Sequence, residues 1–418
     1  MNSPPFHYRS GELFAEDVSL AAVAREHGTP CYVYSAGRIE SNWRALDAAF
    51  AGRSHLVCYA VKANSNLAVL GLLARLGSGF DIVSIGELER VLAAGGRADR
   101  VVFAGVGKRE DEIRRALLAG IRCFNVESRA ELERIDRIGT ALGRRAPVAL
   151  RVNPDVDPGT HPYIATGLAE NKFGIPIGEA VAEYERAMAM SGIEVTGIAC
   201  HIGSQLTALE PFSDALASVS ALVRELRRRG VPIRHVDAGG GLGVRYRDET
   251  PPAMQRYAAA IGAAVDVDGV EIVVEPGRAI VADAGVLLTR VEYLKPGGRR
   301  SFAIVDAAMN DLIRPALYEA WHEVRPVAPH PGAKGVWDVV GPVCETGDFL
   351  AQGRELALAP GDLLVLDTAG AYGFAMSSNY NARPRPAEVM VRGAAAHLVR
   401  ARETIESLYA GERLLPGA

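Results

Sequence analysis

Residues 56–66 of the chain read LVCYAVKANSN, an apolar run that ends in a lysine and then in polar side chains. The apolar part, Leu56–Val61, is rich in residues that favour β-strands. Seven similar runs follow, separated by longer amphipathic stretches, and this βαβα order predicts a parallel sheet. The predicted strands are Leu56–Val61, Gly79–Val83, Arg100–Ala104, Arg122–Val126, Pro147–Val152, Val195–His201, Arg234–Asp237 and Glu271–Glu275.

Eight βα units between residues 36 and 285 match the size of a (β/α)8, or TIM, barrel, an α/β fold, with a doubly wound sheet as the alternative. Between the strands, Ser84 and Glu87 form a predicted helix-capping box, and Arg227–Gly230 places cations and a glycine at a predicted helix end. After residue 286 the pattern changes to short strands separated by Gly and Pro, which predicts a C-terminal β domain, a Greek-key barrel or sandwich, over 286–418. Residues 1–35 contain another β-rich run, Cys31–Tyr34, and we expect them to pack on that domain. The predicted strands of this domain are Val286–Leu294, Arg300–Val305, Val336–Val340, Asp362–Leu366, Glu388–Val391 and Ala396–Val399.

The composition excludes several classes of protein. The chain has 418 residues, of which 49% are hydrophobic and 23% charged, so it is long enough for two or three folded domains. Its net charge of -4 argues against nucleic acid or an anionic membrane as a partner. The five cysteines are widely spaced and form no C-x-x-C pair, which indicates neither a disulfide framework nor a zinc site. Since the N-terminus lacks the order of a signal peptide and no apolar run could span a bilayer, we expect a complete, cytoplasmic chain.

Polar residues follow the predicted strands, at the end of a TIM barrel where catalytic groups lie. Lys62 follows the first strand, where a desolvated amine could form a Schiff base, although such a lysine taken alone is more often an ordinary strand end. The glycine run Gly239–Gly243 could bind an anion through backbone N–H groups or be a flexible turn, and it does not complete a dinucleotide-binding motif. His201 alone is more typical of a buried structural histidine. The other polar residues at strand ends are Asp81, Ser84, Asn125, Glu127, Asn153, Ser204, Glu275 and Arg278.

Taken together, these groups point to one cofactor. An amine, an anion-binding loop, a histidine and a lone carboxylate are the parts that hold pyridoxal 5′-phosphate. Lys62 would bind the cofactor, His201 would support its ring, and Glu275 would face the ring nitrogen. A carboxylate there keeps the nitrogen protonated, and a protonated ring favours cleavage of a Cα–carboxylate bond.

Nine segments, in order, resemble the fold-type III, alanine-racemase-like family of pyridoxal-phosphate enzymes, and within it the decarboxylases that act on diaminopimelate. The resemblance covers nearly the whole chain and implies that Lys62 carries the cofactor, that His201 stacks on its ring and that Glu275 pairs with its nitrogen. One departure is Ile85, where a small residue is expected, and this change could alter packing beneath the ring. Further cofactor contacts are implied for Asp81, Ser204, Gly240, Gly241, Gly277, Arg278 and Tyr372. The segments are Tyr59–Asn64, Gly79–Ser84, Gly159–Gly167 with Lys172–Gly174, His201–Gln205, Asp237–Gly243, Glu275–Arg278, Met309–Pro315, Cys344–Asp348 and Ala371–Gly373.

The resemblance also implies how the substrate is held. Arg278, Arg314 and Tyr318 would bind the distal carboxylate of diaminopimelate. Arg314 and Tyr318 are four residues apart, so they would project from one face if the stretch Asn310–Val324 is helical. Surface pairing of Arg314 and Tyr318 with Glu319 or Glu323 is the alternative. A decarboxylase that forms a diamine has no distal carboxylate to hold, so this pair favours diaminopimelate as the substrate.

Three residues of the β domain complete the implied site. Glu345 would bind the distal ammonium, Tyr372 would lie near the phosphate and substrate, and Cys344 would donate the proton that replaces carbon dioxide. Family members share active sites across a homodimer, which the resemblance implies here as well. We therefore expect decarboxylation of meso-2,6-diaminopimelate to L-lysine. A related decarboxylase with another or a carrier-bound substrate, a racemase and a non-catalytic binding relative are the alternatives.

Overall fold

The computed structural model of the chain describes residues 4–154, 156 and 172–416, so the predicted motif Gly159–Gly167 lies outside the described residues. The chain divides into two compact units. We call Glu40–Arg245 with Glu249–Ile280 the barrel unit, and Met1–Ile39 with Tyr246–Asp248 and Val281–Ala418 the strand unit. The limits 36–285 and 286–418 remain our proposal for the cofactor-binding and C-terminal domains. Within the described residues, no helix is both long and apolar enough to cross a membrane.

The elements are numbered in chain order. The strands are β1 (Phe6–Arg9), β2 (Glu12–Ala15), β3 (Val18–Ser19), β4 (Cys31–Ser35), β5 (His55–Ala60), β6 (Gly79–Ile82), β7 (Val101–Phe103), β8 (Cys123–Val126), β9 (Ala146–Asn153), β10 (Ile175–Pro176), β11 (Ile193–Ala199), β12 (His235–Asp237), β13 (Glu271–Val274), β14 (Gly285–Lys295), β15 (Phe302–Val305), β16 (Val324–Pro326), β17 (Gly335–Val340), β18 (Phe349–Leu356), β19 (Leu363–Leu366), β20 (Ala387–Arg392) and β21 (Ala395–Arg400). The helices are α1 (Leu20–His27), α2 (Ala36–Ala49), α3 (Leu67–Arg75), α4 (Ile85–Ala93), α5 (Glu110–Ala119), α6 (Arg129–Ala141), α7 (Ala180–Ala189), α8 (Glu210–Arg228), α9 (Met254–Ala264), α10 (Arg278–Val281), α11 (Arg314–Tyr318) and α12 (Ile405–Tyr409).

Eight parallel strands close into a barrel in the barrel unit. They run in the order β5-β6-β7-β8-β9-β11-β12-β13, and β13 pairs back with β5. The pairing of β8 with β9 joins the two halves, so the sheet has no free edge among these strands. The predicted (β/α)8 barrel is confirmed and the doubly wound alternative is wrong. Each of the eight predicted strands overlaps one barrel strand.

The barrel strands are buried because their outer faces are covered by helices and their inner faces pack on one another. One inner cluster joins side chains from strands around the whole ring: Leu56, Cys58, Val102, Cys123, Ala149, Ala199 and Val273. Full burial of a Val or Leu side chain stabilises the fold by roughly 1.5–3 kcal/mol. The interior is therefore a packed core that holds the strand ends in fixed positions.

Two predicted helix boundaries occur in the barrel unit. Ser84 is the N-cap of α4 and accepts a hydrogen bond from the N–H of Glu87 at 3.3 Å. The Glu87 carboxylate in turn accepts a hydrogen bond from the N–H of Val83 at 2.7 Å. In a standard capping box the donor is the N–H of the N-cap residue itself, which here is Ser84. At its other end, α8 stops in the arginine run, and Gly230 follows with a φ of 84°. The arginines thus end a helix.

The strand unit contains a nine-stranded sheet in which β14 pairs with β4, β15 and β19. β4 also pairs with β20, so the N-terminal run Cys31–Ser35 lies inside this sheet. All six strands predicted after residue 286 have counterparts here. Two others, β16 and β18, escape the sequence pattern, since β16 has three residues ending in a proline and β18 is interrupted by Gly353 with a φ of 65°.

The helix considered for Asn310–Val324 does not extend over that stretch, because only α11, Arg314–Tyr318, is helical. Pro315 lies in its first turn, where a proline starts a helix and cannot continue an earlier one. Glu319 then adopts a left-handed conformation with a φ of 53° and ends the helix after one turn. Arg314 and Tyr318 still stand at opposite ends of that single turn.

Candidate active site

The candidate site is a cavity of about 390 Å³ in the barrel unit. It lies at the C-terminal ends of the barrel strands, as expected for enzymes of this fold. Its walls combine titratable groups with small apolar residues. The lining residues are Lys62, Val83, Ala104, Gly105, Val106, Asn125, Arg151, Phe173, Ala199, Cys200, His201, Asp237 and Glu275. Ile85 is not among them, and its backbone N–H binds Glu112 at 3.1 Å.

Lys62 projects from a short 3-10 turn, Val61–Ala63, directly after β5. Its Nζ forms an ion pair with Oδ2 of Asp81 at 2.9 Å, and Asp81 is fully buried. About a third of the lysine side chain, 36%, is exposed, so the side chain is accessible while Asp81 holds its amine. A Cβ added to Gly277 would approach Ala63 Cβ to 2.9 Å, which explains why a glycine packs beside this turn.

Two buried carboxylates stand together at the ends of β12 and β13. The side-chain amide of Asn125 donates to Asp237 at 2.9 Å and to Glu275 at 3.3 Å. Burial raises the pKa of Glu275 well above its ordinary range, and the neighbouring Asp237 and Asp81 raise it further. Burial also raises the pKa of Asp237. The cluster therefore favours a bound proton or a cation between its acids.

His201 follows β11, and its ring is neutral. Desolvation of the ring lowers its pKa well below the ordinary range, and the cations Arg151 and Lys62 lower it further. The backbone N–H of Gly240 donates to Nδ1 at 3.3 Å, so Nδ1 accepts and the ring proton sits on Nε2. A neutral, oriented imidazole is suited to stacking on an aromatic ring.

The glycine run after β12 makes close backbone contacts. A Cβ at Gly240 would clash with the carbonyl oxygen of Glu275, and Gly241 has a φ of 117° that other residues rarely adopt. Nearby, Arg278 donates to Oγ of Ser204 at 3.0 Å. The run thus packs directly against the carboxylate strand and the loop after β11.

These groups fit pyridoxal phosphate in their chemistry. The acids at Glu275 and Asp237 would be stabilised by a protonated ring nitrogen, because a buried cation relieves their mutual repulsion. Lys62 places a partly exposed amine side chain on the same cavity, and the glycine run brings backbone, where no side chain would fit, close to the strand that carries Glu275. The residues present therefore fit the three parts of pyridoxal phosphate that the protein must hold, which are its phosphate, its bond to the lysine amine and its ring.

A buried ion network in the wall of the cavity was not assigned a role from the sequence. Glu127 accepts hydrogen bonds from Arg151 at 2.8 Å, from the N–H of Gly174 at 2.9 Å and from the N–H of Gly105 at 3.2 Å. Arg151 also donates to the carbonyl oxygen of His201 at 3.2 Å. The Glu127 carboxylate thus joins the loops that follow β7, β8 and β9. The sequence feature that could have revealed this network is Arg151, a charged residue within a buried strand.

The strand unit holds the predicted substrate residues Arg314 and Tyr318. Arg314 is buried, with its Nη1 3.0 Å from Nε2 of His322 and its guanidinium 4.4 Å from the ring centroid of Tyr246. These contacts differ from the surface pairing with glutamates considered as the alternative. Tyr318 is half-buried.

Cys344 and Glu345 are both exposed in the strand unit. The backbone N–H of Cys344 donates to the side chain of Asn381 at 2.7 Å, which fixes the loop. The other four cysteines are buried and free, and burial raises the pKa of Cys31, Cys123 and Cys200 to about 12. Cys344 is therefore the accessible thiol among the described residues. Tyr372 is half-buried with a φ of 56°.

Comparison with known proteins identifies the family. A model described as "Pyridoxal-dependent decarboxylase, pyridoxal binding domain" matches residues 36–282. The diaminopimelate decarboxylase of Pseudomonas aeruginosa is 63% identical over 411 residues, which cover 98% of this chain and 99% of that protein. The crystal structure of the Helicobacter pylori diaminopimelate decarboxylase complexed with L-lysine is 43% identical, with a TM-score of 0.91 over 94% of this chain and 98% of that chain. The M. jannaschii enzyme in co-complex with L-lysine is 38% identical, with a TM-score of 0.94 over 98% of each chain.

The chain therefore belongs to the pyridoxal-dependent decarboxylases, and its cofactor is pyridoxal 5′-phosphate. Both the barrel and the chemistry of its cavity agree with that class. Within the class, the chain is a member of the diaminopimelate decarboxylase family.

Proposed function

We propose that this protein decarboxylates meso-2,6-diaminopimelate to L-lysine and carbon dioxide, the last step of lysine biosynthesis. The observation that carries the proposal is the cavity itself, which combines an accessible amine at Lys62 with buried acids at Asp237 and Glu275. Pyridoxal phosphate, when bound, supplies a ring that accepts the electron pair of the breaking carbon–carboxylate bond.

The barrel residues hold the cofactor in this proposal. Lys62 binds it covalently and Asp81 positions the lysine amine through their ion pair. Glu275 supplies the negative charge that keeps the ring nitrogen protonated, and His201 covers one face of the ring. The phosphate is assigned to Ser204, Gly240, Gly241, Gly277 and Arg278, with Tyr372 contributing from the strand unit.

The substrate is held by residues that bind its distal, unreacting end. Arg278, Arg314 and Tyr318 bind the distal carboxylate, and Glu345 binds the distal ammonium. Tyr372 also contacts the substrate. A guanidinium and a tyrosine hydroxyl suit a carboxylate, because both donate hydrogen bonds to its oxygens.

After carbon dioxide leaves, the thiol of Cys344 donates a proton to the reacting carbon. Its exposure makes the thiol accessible, in contrast to the buried cysteines. We further propose a cytoplasmic homodimer in which Cys344 and Glu345 of each subunit serve the partner's site. The exposure of both residues supports this arrangement, since an isolated subunit leaves them open.

The function is tested by incubating purified protein and pyridoxal phosphate with meso-diaminopimelate. We expect lysine and carbon dioxide in equal amounts, with no turnover of ornithine or lysine, because these lack the second carboxylate at the distal end. Faster decarboxylation of another amino acid, or a product that retains both carboxylates, would contradict the proposed substrate or reaction.

Glu275→Gln should separate stability from cofactor binding. Because burial and the other acids raise the pKa of Glu275 in the folded protein, the folded chain holds that proton more tightly than the unfolded one. Glu275 therefore lowers the free energy of unfolding as the pH rises above the ordinary pKa range of a glutamate. The cofactor-free variant should be more stable than the unmodified protein at about pH 8 by roughly 1–2 kcal/mol, with a smaller difference at about pH 5.

The same variant should bind pyridoxal phosphate at least about tenfold more weakly, because a neutral amide does not favour a protonated ring nitrogen. Urea unfolding at both pH values and titration with the cofactor measure the two effects. Glu271→Gln, on the same strand but paired with Arg122, is the matched control and should leave cofactor affinity unchanged. Equal cofactor affinity in Glu275→Gln would count against the role assigned to Glu275.

A further inference from the structure

A buried histidine in the strand unit, His322, joins the proposed substrate arginine to the backbone. His322 is fully buried, and its Nε2 is 3.0 Å from Nη1 of Arg314. On the other side of the ring, Nδ1 is 2.7 Å from the carbonyl oxygen of Asp367. Both ring nitrogens are therefore engaged with groups whose hydrogen-bonding roles are known.

These two partners define the protonation of the ring. An arginine has only donors, so Nε2 must accept and carries no proton. A carbonyl oxygen only accepts, so Nδ1 must carry the proton. The two requirements agree on one neutral form, with the proton on Nδ1. The other neutral form, or the charged ring, would set an N–H against the Arg314 guanidinium.

Other contacts hold the ring and its partners in place. The Tyr246 ring lies edge to face with His322, with centroids 5.5 Å apart, and also supports the Arg314 guanidinium at 4.4 Å. Arg354 donates to the carbonyl oxygen of His322 at 2.9 Å. Asp367 is itself held by Arg325 through two hydrogen bonds of 2.5 and 2.7 Å. The acceptor that faces Arg314 is thus part of a rigid arrangement.

The choice of a neutral partner has a chemical consequence. A carboxylate facing Arg314 would hold it equally well but would cancel its positive charge. A neutral imidazole orients the guanidinium by accepting a hydrogen bond and itself adds no negative charge beside it. This arrangement suits an arginine that must recognise a carboxylate of a ligand.

We propose that His322 is a positioning residue that orients Arg314 and thereby sets the preference for a substrate with a distal carboxylate. This inference rests on the proposed function, because it takes Arg314 to bind that carboxylate. It assigns a specificity role to a residue that need not touch the substrate. Loss of the contact should weaken binding of every ligand that has this carboxylate and spare ligands without it.

Two amide variants test the proposal. His322→Gln can place its amide oxygen near the position of Nε2 and keep the contact with Arg314. His322→Asn is shorter and can keep only the bond to the Asp367 carbonyl. We expect His322→Asn to raise KM for meso-diaminopimelate and the inhibition constant of L-lysine about tenfold or more, with kcat changed less than about threefold. His322→Gln should stay within about threefold of the unmodified protein in all three.

The control ligand is 1,5-diaminopentane, which has the same two amines and no carboxylate. Its inhibition constant should be the same in all three proteins. Equal KM values for unmodified protein and His322→Asn, or an equal loss of affinity for lysine and 1,5-diaminopentane, would overturn the proposal. If unmodified protein forms no lysine from diaminopimelate, the proposed function fails first, so the two failures are distinguishable.

A measurement on the unmodified protein does not depend on the folding of a variant. In protein labelled with 15N-histidine, His322 should give the NMR signals of a neutral ring protonated at Nδ1 at about pH 7. These signals are assigned to His322 because they should be lost in His322→Gln or His322→Asn protein whose remaining spectrum is native. If neither variant folds, a spectrum in which every buried imidazole carries its proton on Nε2 would still reject the proposal.

Discussion

Lys62→Ala should lose essentially all decarboxylase activity and all covalent retention of the cofactor after borohydride reduction. The physical reason is that Lys62 is the amine on the cavity wall, with its Nζ held by Asp81 at 2.9 Å. Lys108, another lysine near the barrel ends, is buried and bound to Glu131 at 2.7 Å, and neither it nor Lys172 is among the residues that line the cavity. We expect turnover to fall by at least about 10⁴-fold, the scale reached when a covalent catalyst is removed.

Mass measurement of the reduced protein and a turnover assay check this result. Lys334→Ala, at an exposed position of the strand unit, is the matched control and should keep normal activity and cofactor retention. Undiminished turnover by Lys62→Ala would mean that the amine lies elsewhere. A variant that loses activity but still retains one cofactor covalently would separate the cofactor bond from catalysis and reject the role given to Lys62.

Much of the fold could be predicted from the sequence because buried parallel strands leave a strong pattern. Strands covered on both faces are continuous apolar runs, and amphipathic helices separate them. Lys62, His201 and Glu275 were also recognisable, because a TIM barrel collects polar strand ends at one face. Their position after apolar runs made them candidates, and the combination of an amine, a histidine and a carboxylate, together with the family resemblance, gave them their predicted roles.

The region around Arg314 was harder to predict. The spacing of Arg314 and Tyr318 favours a helix, but Pro315 and the left-handed Glu319 limit it to one turn. The strand β18 was missed because Gly353 interrupts its alternation of apolar and polar residues. In both cases one or two residues that restrict or alter the local backbone outweighed a pattern summed over many residues.

The electrostatics of the cavity required the closed barrel. Asn125 bridges Asp237 and Glu275, although 150 positions separate it from Glu275 along the chain. Strand-end position suggested each residue separately, but only the closure of the barrel brings the three together. The same holds for Glu127 and Arg151, which meet because β8 and β9 are neighbours.

Mixing two inactive variants should restore activity if the active sites are shared between subunits. Lys62→Ala removes the amine from the barrel unit, whereas Cys344→Ala removes the thiol from the strand unit. In a mixed dimer with shared sites, one site receives Lys62 from one subunit and Cys344 from the other, so it is intact. The second site of that dimer lacks both groups.

The expected recovery follows from random exchange of subunits. In an equal mixture about half of the dimers are mixed, and each mixed dimer has one intact site, so activity should reach about a quarter of that of the unmodified protein. The assay measures lysine formation after the variants are mixed, with each variant alone at the same total concentration as the baseline.

A mixture of Lys62→Ala with Glu275→Ala is the matched control. Both changes lie in the barrel unit, so every site carries one of them however subunits pair, and no recovery is expected. If Lys62→Ala with Cys344→Ala also stays at the baseline while subunit exchange is demonstrated by mass, each subunit supplies its own thiol. Recovery in the first mixture alone requires that Cys344 crosses to the partner's amine, because no single subunit in it holds both groups.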